Sequence, residues 1–176
     1  SVSQLMDAGC FGIRLYNSET NSIEYLFEME KGVMDQDIAS IPMTHDNNYS
    51  VWCVKNKKSI FINDNILEHK KWVKEIHVVS GDMPHSLLFQ PMMMGEKIIG
   101  VITVQSFSRN AYQPHHLDTL KTLANYTAIA IENANFIGRL EEKVKERTEE
   151  IRLQNEKVEK AAQITKTISE IGKEIG

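Results

Sequence analysis

The stretch SLLFQPMMMGEKIIGVITVQSF, residues 86–107, decides the fold of this chain. An apolar, β-rich run lies on each side of the dipeptide Gly95-Glu96. Glycine in the first position of a two-residue loop is typical of a type II′ turn, so the stretch predicts a β-hairpin. Pro91 has no N–H to donate, and its strand is therefore expected to be an edge at that point or to carry a bulge.

On the C-terminal side of this hairpin the sequence changes to a helical period. Pro114 suits the first turn of a helix, where its missing N–H costs nothing. Nothing in the sequence stops the helix before Gly138, and a single glycine costs only about 1 kcal/mol, so we expect the helix to continue. The apolar face consists of Leu117, Leu120, Leu123, Ala124, Thr127, Ala128 and Ile131.

On the N-terminal side, two β-rich runs flank the turn-forming sequence NSETNS at residues 17–22, which predicts another hairpin. Shorter elements are expected between the two hairpins. The predicted elements are strands at 10–16, 23–29 and 59–62 and helices at 49–54 and 68–76.

Composition excludes several classes of protein. The chain has 176 residues, 41% of them hydrophobic, and a net charge of −4, so it can bury a core but has no basic footprint for nucleic acid. No apolar run approaches the roughly 18 residues that cross a bilayer. We therefore expect a cytoplasmic chain, within a parent protein that can be membrane-associated. The two cysteines, Cys10 and Cys53, are expected to be reduced.

Two stretches resemble the C-terminal half of a GAF domain: SLLFQPMMMGEKIIGVITVQS at residues 86–106 and NAYQPHHLDTLKTLANYTAIAIENA at residues 110–134. The resemblance covers residues 5–136. It implies an α+β fold with a central antiparallel sheet, helices on one face and a loop-covered pocket on the other. We therefore expect a sensor domain at residues 1–136, with its first helix truncated.

Beyond this domain the apolar spacing narrows to a heptad seam, and LEEKVKERTEEIRLQNEKV at residues 140–158 resembles the signalling helices of bacterial regulators such as sensor histidine kinases. A stripe this narrow suits a partner helix, which predicts a parallel homodimeric coiled coil at residues 137–163. Residues 164–176 resemble the start of a following domain, and an output domain is expected further along the same chain. The seam positions are Ile137, Leu140, Val144, Arg147, Ile151, Gln154 and Val158.

Two seam positions are polar, Arg147 and Gln154, and the heptad phase breaks near Ala161. Polar seam residues weaken the packing of a coiled coil, and a shortened repeat overwinds it locally. We interpret these features as allowing two packings of the helix pair, between which a signal can select.

The sequence contains no nucleophile elbow, phosphate-binding loop or zinc motif, so we predict neither a catalytic nor a metal site. Some GAF domains bind tetrapyrroles. Neither Cys10 nor Cys53 is followed by histidine, as bilin attachment in the family requires, whereas His77 or His85 leaves haem open as an alternative.

Other GAF domains bind cyclic nucleotides through a spaced Asn-Lys, Phe and Asp-Glu pattern. Asn56-Lys57, Phe61 and Asp64 echo this pattern, but the spacing is compressed and Asn65 occupies the position of the glutamate. Cyclic-nucleotide binding is therefore kept as an alternative function.

The expected function is a sensor and dimerisation module that relays a small-molecule signal to the output domain. A structural relay without a ligand is the other alternative, and no feature of the sequence names a cofactor.

The ligand pocket is expected on the loop-covered side, with apolar walls and a few polar groups. Its candidate residues are Trp52, Phe61, Asp64, Trp72, His85, Phe89 and Gln90.

Overall fold

Both expected hairpins lie in one antiparallel sheet in the computed structural model, which describes residues 5–35, 38–77 and 82–176. The described elements are β1 (Cys10–Asn17), β2 (Ser22–Glu30), β3 (Val33–Met34), β4 (Ile41–Pro42), α1 (Tyr49–Asn56), β5 (Ile60–Ile62), α2 (Asn65–Glu68), a 3-10 turn (His69–Lys71), β6 (Ser86–Met94), β7 (Lys97–Ser106) and α3 (Pro114–Ile175).

The two hairpins join through β1 and β7, which pair at the centre of the sheet. In the described part of the chain the strand order is β3-β2-β1-β7-β6-β5, and β4 also pairs with β2. Gly100 permits the close approach of β1 and β7, because a Cβ there would lie 2.0 Å from the carbonyl oxygen of Arg14. This central pairing brings residues from both ends of the domain onto one face.

The expectations for the second hairpin are confirmed. Gly95 has a φ of +57° and Glu96 does not have a positive φ, as a type II′ turn requires. The pairing of β5 with β6 extends only to Phe89, so Pro91 lies where β6 has no partner on that side. A register shift follows at Met92.

Helix α1 confirms the predicted helix at residues 49–54. The side chain of Asn48 caps its N-terminus by accepting hydrogen bonds from the N–H groups of Ser50 and Val51. The helix ends at Lys57, whose φ of +51° is in the left-handed region.

The predicted helix at residues 68–76 was wrong in its limits. Asp64 caps a single helical turn, α2, and the chain continues as the 3-10 turn. The carboxylate of Glu68 folds back to accept the N–H groups of Asn63 and Asp64, both at 3.0 Å. These local side-chain bonds close the turn, and the helix is shorter than the predicted one.

The core lies on both faces of the sheet. On the loop-covered face, one buried cluster includes Ile23, Val51, Cys53, Ile60, Ile62 and Val101. Leu88, Ile102 and Val104 alternate with the residues of that face along β6 and β7 and are also buried. The first turns of α3 bury Leu120, Ala124 and Ala128.

Helix α3 continues through Gly138 to Ile175, as expected. The chain divides into two units, residues 1–130 and 131–176, and the second unit is the remainder of this helix. The apolar seam residues of the second unit are exposed, Val144 by 65% and Val158 by 66%. The sequence-based limits at residues 136 and 163 both fall inside this continuous helix and stay predictions.

Candidate functional site

A cavity of about 110 Å³ lies on the loop-covered face of the sheet. Residues of β1, β2, β6 and β7 form its walls, together with the first turn of α1 and the loops after β3 and before β6. Roughly 10–15 Å³ of such space holds one water molecule, so the cavity suits a small organic molecule. The apolar part of its wall consists of Ile38, Ile76, Pro84, Leu87 and Phe89.

Arg14 lines the cavity and is only 7% exposed. Its Nε and Nη2 donate to the two carboxylate oxygens of Glu28 at 3.1 and 2.7 Å, and its Nη1 donates to Ser50 Oγ at 2.7 Å. The guanidinium lies 4.8 Å from the ring centroid of Tyr25 and 5.8 Å from that of Phe89. Two aromatic rings, a carboxylate and a helix hydroxyl thus fix its position.

Glu28 of β2 pairs with Gly12 of β1, and Gly12 lies on the same face of β1 as Arg14. The carboxylate of Glu28 therefore extends over Gly12 to contact Arg14. A Cβ at Gly12 would lie 2.3 Å from Glu28 Oε2, so glycine leaves the space that the carboxylate occupies. Burial disfavours the charged guanidinium, but the carboxylate of Glu28 outweighs this effect and raises the pKa of Arg14 above its ordinary value. Arg14 therefore stays charged inside the protein.

A buried ion pair is by itself weak evidence for a contribution to stability. Removing two charges from water costs about as much as their attraction returns, so apolar replacements of buried pairs are often neutral or stabilising. Within the described residues, Glu28 and Ser50 use three of the five N–H groups of Arg14. The cavity can therefore offer guanidinium donors to a molecule that has hydrogen-bond acceptors.

Cys10 also lines the cavity, at the start of β1. Burial raises the pKa of its thiol to about 11, and the carboxylates of Glu30 and Glu28 add to this effect. Burial likewise raises the pKa of Cys53. Both thiols are free and protonated at neutral pH, whereas thiol chemistry requires the thiolate.

A hydrogen-bonded frame connects the cavity to the segment before β6. Tyr49 Oη donates to Asn65 Oδ1 at 2.5 Å, and both residues line the cavity. Asn65 Nδ2 donates to the carbonyl of Pro84 at 3.1 Å, and the Asn65 N–H donates to the carbonyl of His85 at 2.8 Å. Asn65 is 1% exposed, so these bonds are sheltered from water.

The seven pocket residues proposed from the sequence lie in different parts of the structure. Phe89 lies in the wall of the cavity. Trp52 and Trp72 meet with their ring centroids 6.4 Å apart, but they line a separate groove.

The other four proposed residues lie outside the cavity wall. Asp64 caps α2. Phe61 and Gln90 lie on the opposite face of the sheet from Phe89, because side chains alternate along β5 and β6. His85 has a buried Nδ1 for which the described residues provide no hydrogen-bond partner.

The groove of Trp52 and Trp72 has a volume of about 650 Å³ and lies along the outer side of α1. The two indole rings cross at 84°, the edge-to-face arrangement that aromatic pairs favour. Both rings also pack against the buried core cluster. Among the described residues, no side chain lines both the groove and the cavity.

Sequence reasoning found Phe89 but missed Arg14, Glu28 and Tyr25. The sequence contained one signal for Arg14. Because side chains alternate along a strand, Arg14 is expected on the same face of its strand as Cys10 and Gly12. A charged residue on a face that should be buried is informative, because such a residue needs a partner.

Within the described ranges, no cluster of potential metal ligands is found. In the same part of the chain, no helix combines the length and the apolar character needed to cross a bilayer.

Several solved structures share the fold. The GAF domain of an Acinetobacter phosphoenolpyruvate-protein phosphotransferase is 15% identical, with a TM-score of 0.64 over 77% of this chain and 78% of that one. The GAF-B domain of DevS from Mycobacterium smegmatis is 13% identical, with a TM-score of 0.59 over 79% and 90%.

An enzyme is also among the similar structures. Free methionine-R-sulfoxide reductase from Neisseria meningitidis, solved in complex with its substrate, is 12% identical, with a TM-score of 0.57 over 76% of this chain and 74% of that one. At such low identity these similarities establish the fold alone.

A search of curated proteins gives no significant match. The family comparison, in contrast, matches the GAF domain over residues 2–132. This match covers the sheet, the cavity and the first turns of α3, and the chain therefore belongs to the GAF domain family, generally a family of regulatory sensor modules.

Proposed function

We propose that this chain is a sensor and dimerisation module in which a small polar molecule binds in the cavity beside Arg14. The observation that carries the proposal is a buried guanidinium, held by Glu28 and Ser50, in the wall of the cavity. The ligand places a hydrogen-bond acceptor against Arg14 and apolar atoms against Leu87 and Phe89. Acceptors suit a site whose donors are already positioned.

The size of the cavity favours a ligand smaller than a nucleotide or a tetrapyrrole, since about 110 Å³ corresponds to roughly seven to eleven water-sized atoms. The residues that echo the cyclic-nucleotide pattern, Asn56, Lys57, Phe61 and Asp64, are not among those that line the cavity. Both points weigh against the cyclic-nucleotide alternative.

We also propose that the chain does not itself catalyse a reaction. A reductase that works through thiols needs an accessible thiolate, and the raised pKa of Cys10 opposes its formation. The signal would then pass through a conformational change of the protein and not through a reaction product.

The relay proposed here begins at the cavity and ends in α3. Asn65 contacts Tyr49 in the cavity wall, and Asn63 lies two residues earlier in the same turn. The side chain of Asn63 holds the backbone of Tyr112, which precedes α3 by two residues. A ligand that shifts Tyr49 would therefore bias the start of the helix.

The helix would transmit this bias to an output domain as one member of a parallel homodimer. The exposed seam residues, Val144 and Ile151 among them, support this assembly because isolated apolar stripes need a partner. The polar seam positions Arg147 and Gln154 would keep two packings close in free energy.

The proposal is tested by screening small metabolites, including amines, carboxylates and amino acids, with NMR of the ¹⁵N-labelled protein. A ligand that occupies the cavity should shift the Arg14 side-chain Nε–H resonance and the amide resonances of Tyr49 and Tyr112 together. Perturbations confined to other surfaces would favour a structural relay without a ligand in the cavity.

A further inference from the structure

The groove that contains both tryptophans of the chain is a candidate interaction surface, separate from the cavity. Trp52 lines it from α1, and Trp72 lines it from the segment after the 3-10 turn. Half-buried indoles of this kind are frequent anchors in protein interfaces.

The groove is held in shape before any partner binds. Asn47 Oδ1 accepts the backbone N–H groups of Lys74 and Glu75 at 2.8 and 2.9 Å, which fixes the segment that contains Trp72. The carbonyl of His69 accepts the N–H group of Trp72 at 2.9 Å. A preformed wall reduces the ordering that binding would otherwise require.

The charge of the groove is opposite to that of the whole chain. Its lining contains four lysines and a single carboxylate, Asp46, whereas the chain has a net charge of −4. Lys55 pairs with Asp46. Lys70 and Lys74 have no salt-bridge partner among the described residues, and both are exposed. A local excess of positive charge on an acidic protein attracts an acidic partner.

We propose that this groove binds an acidic peptide segment of a partner protein, with an aromatic or apolar side chain of the partner beside the edge-to-face pair of Trp52 and Trp72 and its carboxylates against Lys70 and Lys74. The concave shape favours a peptide over a lipid surface, because the half-buried indoles do not project as a membrane anchor would. The net negative charge of the chain disfavours a polynucleotide.

The test uses the full chain and a displayed library of random peptides. Selected peptides are expected to be rich in Asp and Glu around one aromatic residue, and to change the tryptophan fluorescence saturably. The double variant Lys70→Glu/Lys74→Glu should weaken their binding about tenfold or more, and added salt should weaken it further.

The matched control is Lys58→Glu, an exposed lysine that does not line the groove, which should leave binding unchanged. Selection of peptides without acidic residues, equal loss of binding in the control, or failure to select any peptide would overturn the proposal. It would also be overturned if the fluorescence responded to anionic phospholipid vesicles or poly-U RNA and not to acidic peptides. All these outcomes are independent of whether the cavity binds a small molecule.

Discussion

The side chain of Asn63 makes two hydrogen bonds to the backbone of Tyr112: Nδ2 donates to the carbonyl at 2.9 Å and Oδ1 accepts the N–H at 3.1 Å. The two residues are 49 positions apart in sequence, and Pro114 begins α3 just after the second. The backbone carbonyl of Asn63 also accepts the N–H of Asn110 and the hydroxyl of Ser86. The start of the helix is therefore attached to the turn that carries Asn65 into the cavity wall.

Replacing Asn63 by Ala should lower the free energy of unfolding by about 1–3 kcal/mol, since two backbone groups of Tyr112 lose their partners. Hydrogen exchange at the Tyr112 amide should accelerate as well. Urea unfolding followed by tryptophan fluorescence measures the first effect. Asn133→Ala, at an exposed position of α3, is the control and should change neither quantity. Equal behaviour of the two variants would contradict the described role of Asn63.

Gly12→Ala should displace the carboxylate of Glu28, because the new Cβ would lie 2.3 Å from Oε2. We expect a loss of about 1–3 kcal/mol, which should shrink in a Glu28→Ala background since the clashing group is then absent. Gly100→Ala is the contrasting variant. Its Cβ meets the backbone oxygen of Arg14 at 2.0 Å, so removing Glu28 should not relieve it. Thermal unfolding of the single and double variants measures both cycles, and additive losses at Gly12 would show that the packing argument is wrong.

The thiol of Cys10 gives a pH dependence of known sign. Its pKa rises from 9.0 in the unfolded chain to about 11 in the folded protein, so the folded state binds more protons between these values. Its contribution to stability is complete below pH 9 and is lost as the pH rises toward 11. Cys10→Ala should flatten the fall in unfolding free energy over this window relative to the wild type. An unchanged slope would show that the thiol does not titrate as described.

The proposed dimer seam can be tested by introducing charged residues into it. Val144→Lys/Ile151→Lys should convert the dimer to a monomer in sedimentation, while the sheet domain stays folded. Leu153→Lys is the matched control because Leu153 is also apolar and exposed, by 45%, but lies off the seam. Dissociation by the control alone, or a dimer that survives the seam variant, would place the interface elsewhere.

The elements that sequence analysis predicted best are those with local determinants. The turn at Gly95-Glu96 and the period after Pro114 specify the hairpin and the long helix without reference to distant residues. Two-residue strands such as β3 and β4 give no such signal, because two residues carry no detectable alternation.

The cavity was harder to predict because it is assembled from distant segments. Arg14, Ser50 and Phe89 meet only after β1 pairs with β7 and α1 folds over the sheet. Sequence analysis places Trp52 and Trp72 in the pocket, and they do line a depression, but one separate from the cavity. The aromatic residue type indicated that these side chains line a depression. Which depression they line depends on the topology of the fold.

The proposed sensor function requires that the cavity retain a small molecule through Arg14. The decisive comparison is between the wild type and Arg14→Met/Glu28→Leu, which removes both charges together and should therefore fold with similar stability. Either single substitution would leave a buried charge without its partner.

The most direct measurement is a native mass spectrum of each protein after incubation with a small-molecule extract of cells and removal of unbound material. A discrete added mass, about one small molecule per chain, is expected on the wild type and should be absent from the double variant. A wild-type mass equal to that of the polypeptide alone, or the same added mass on both proteins, would contradict it.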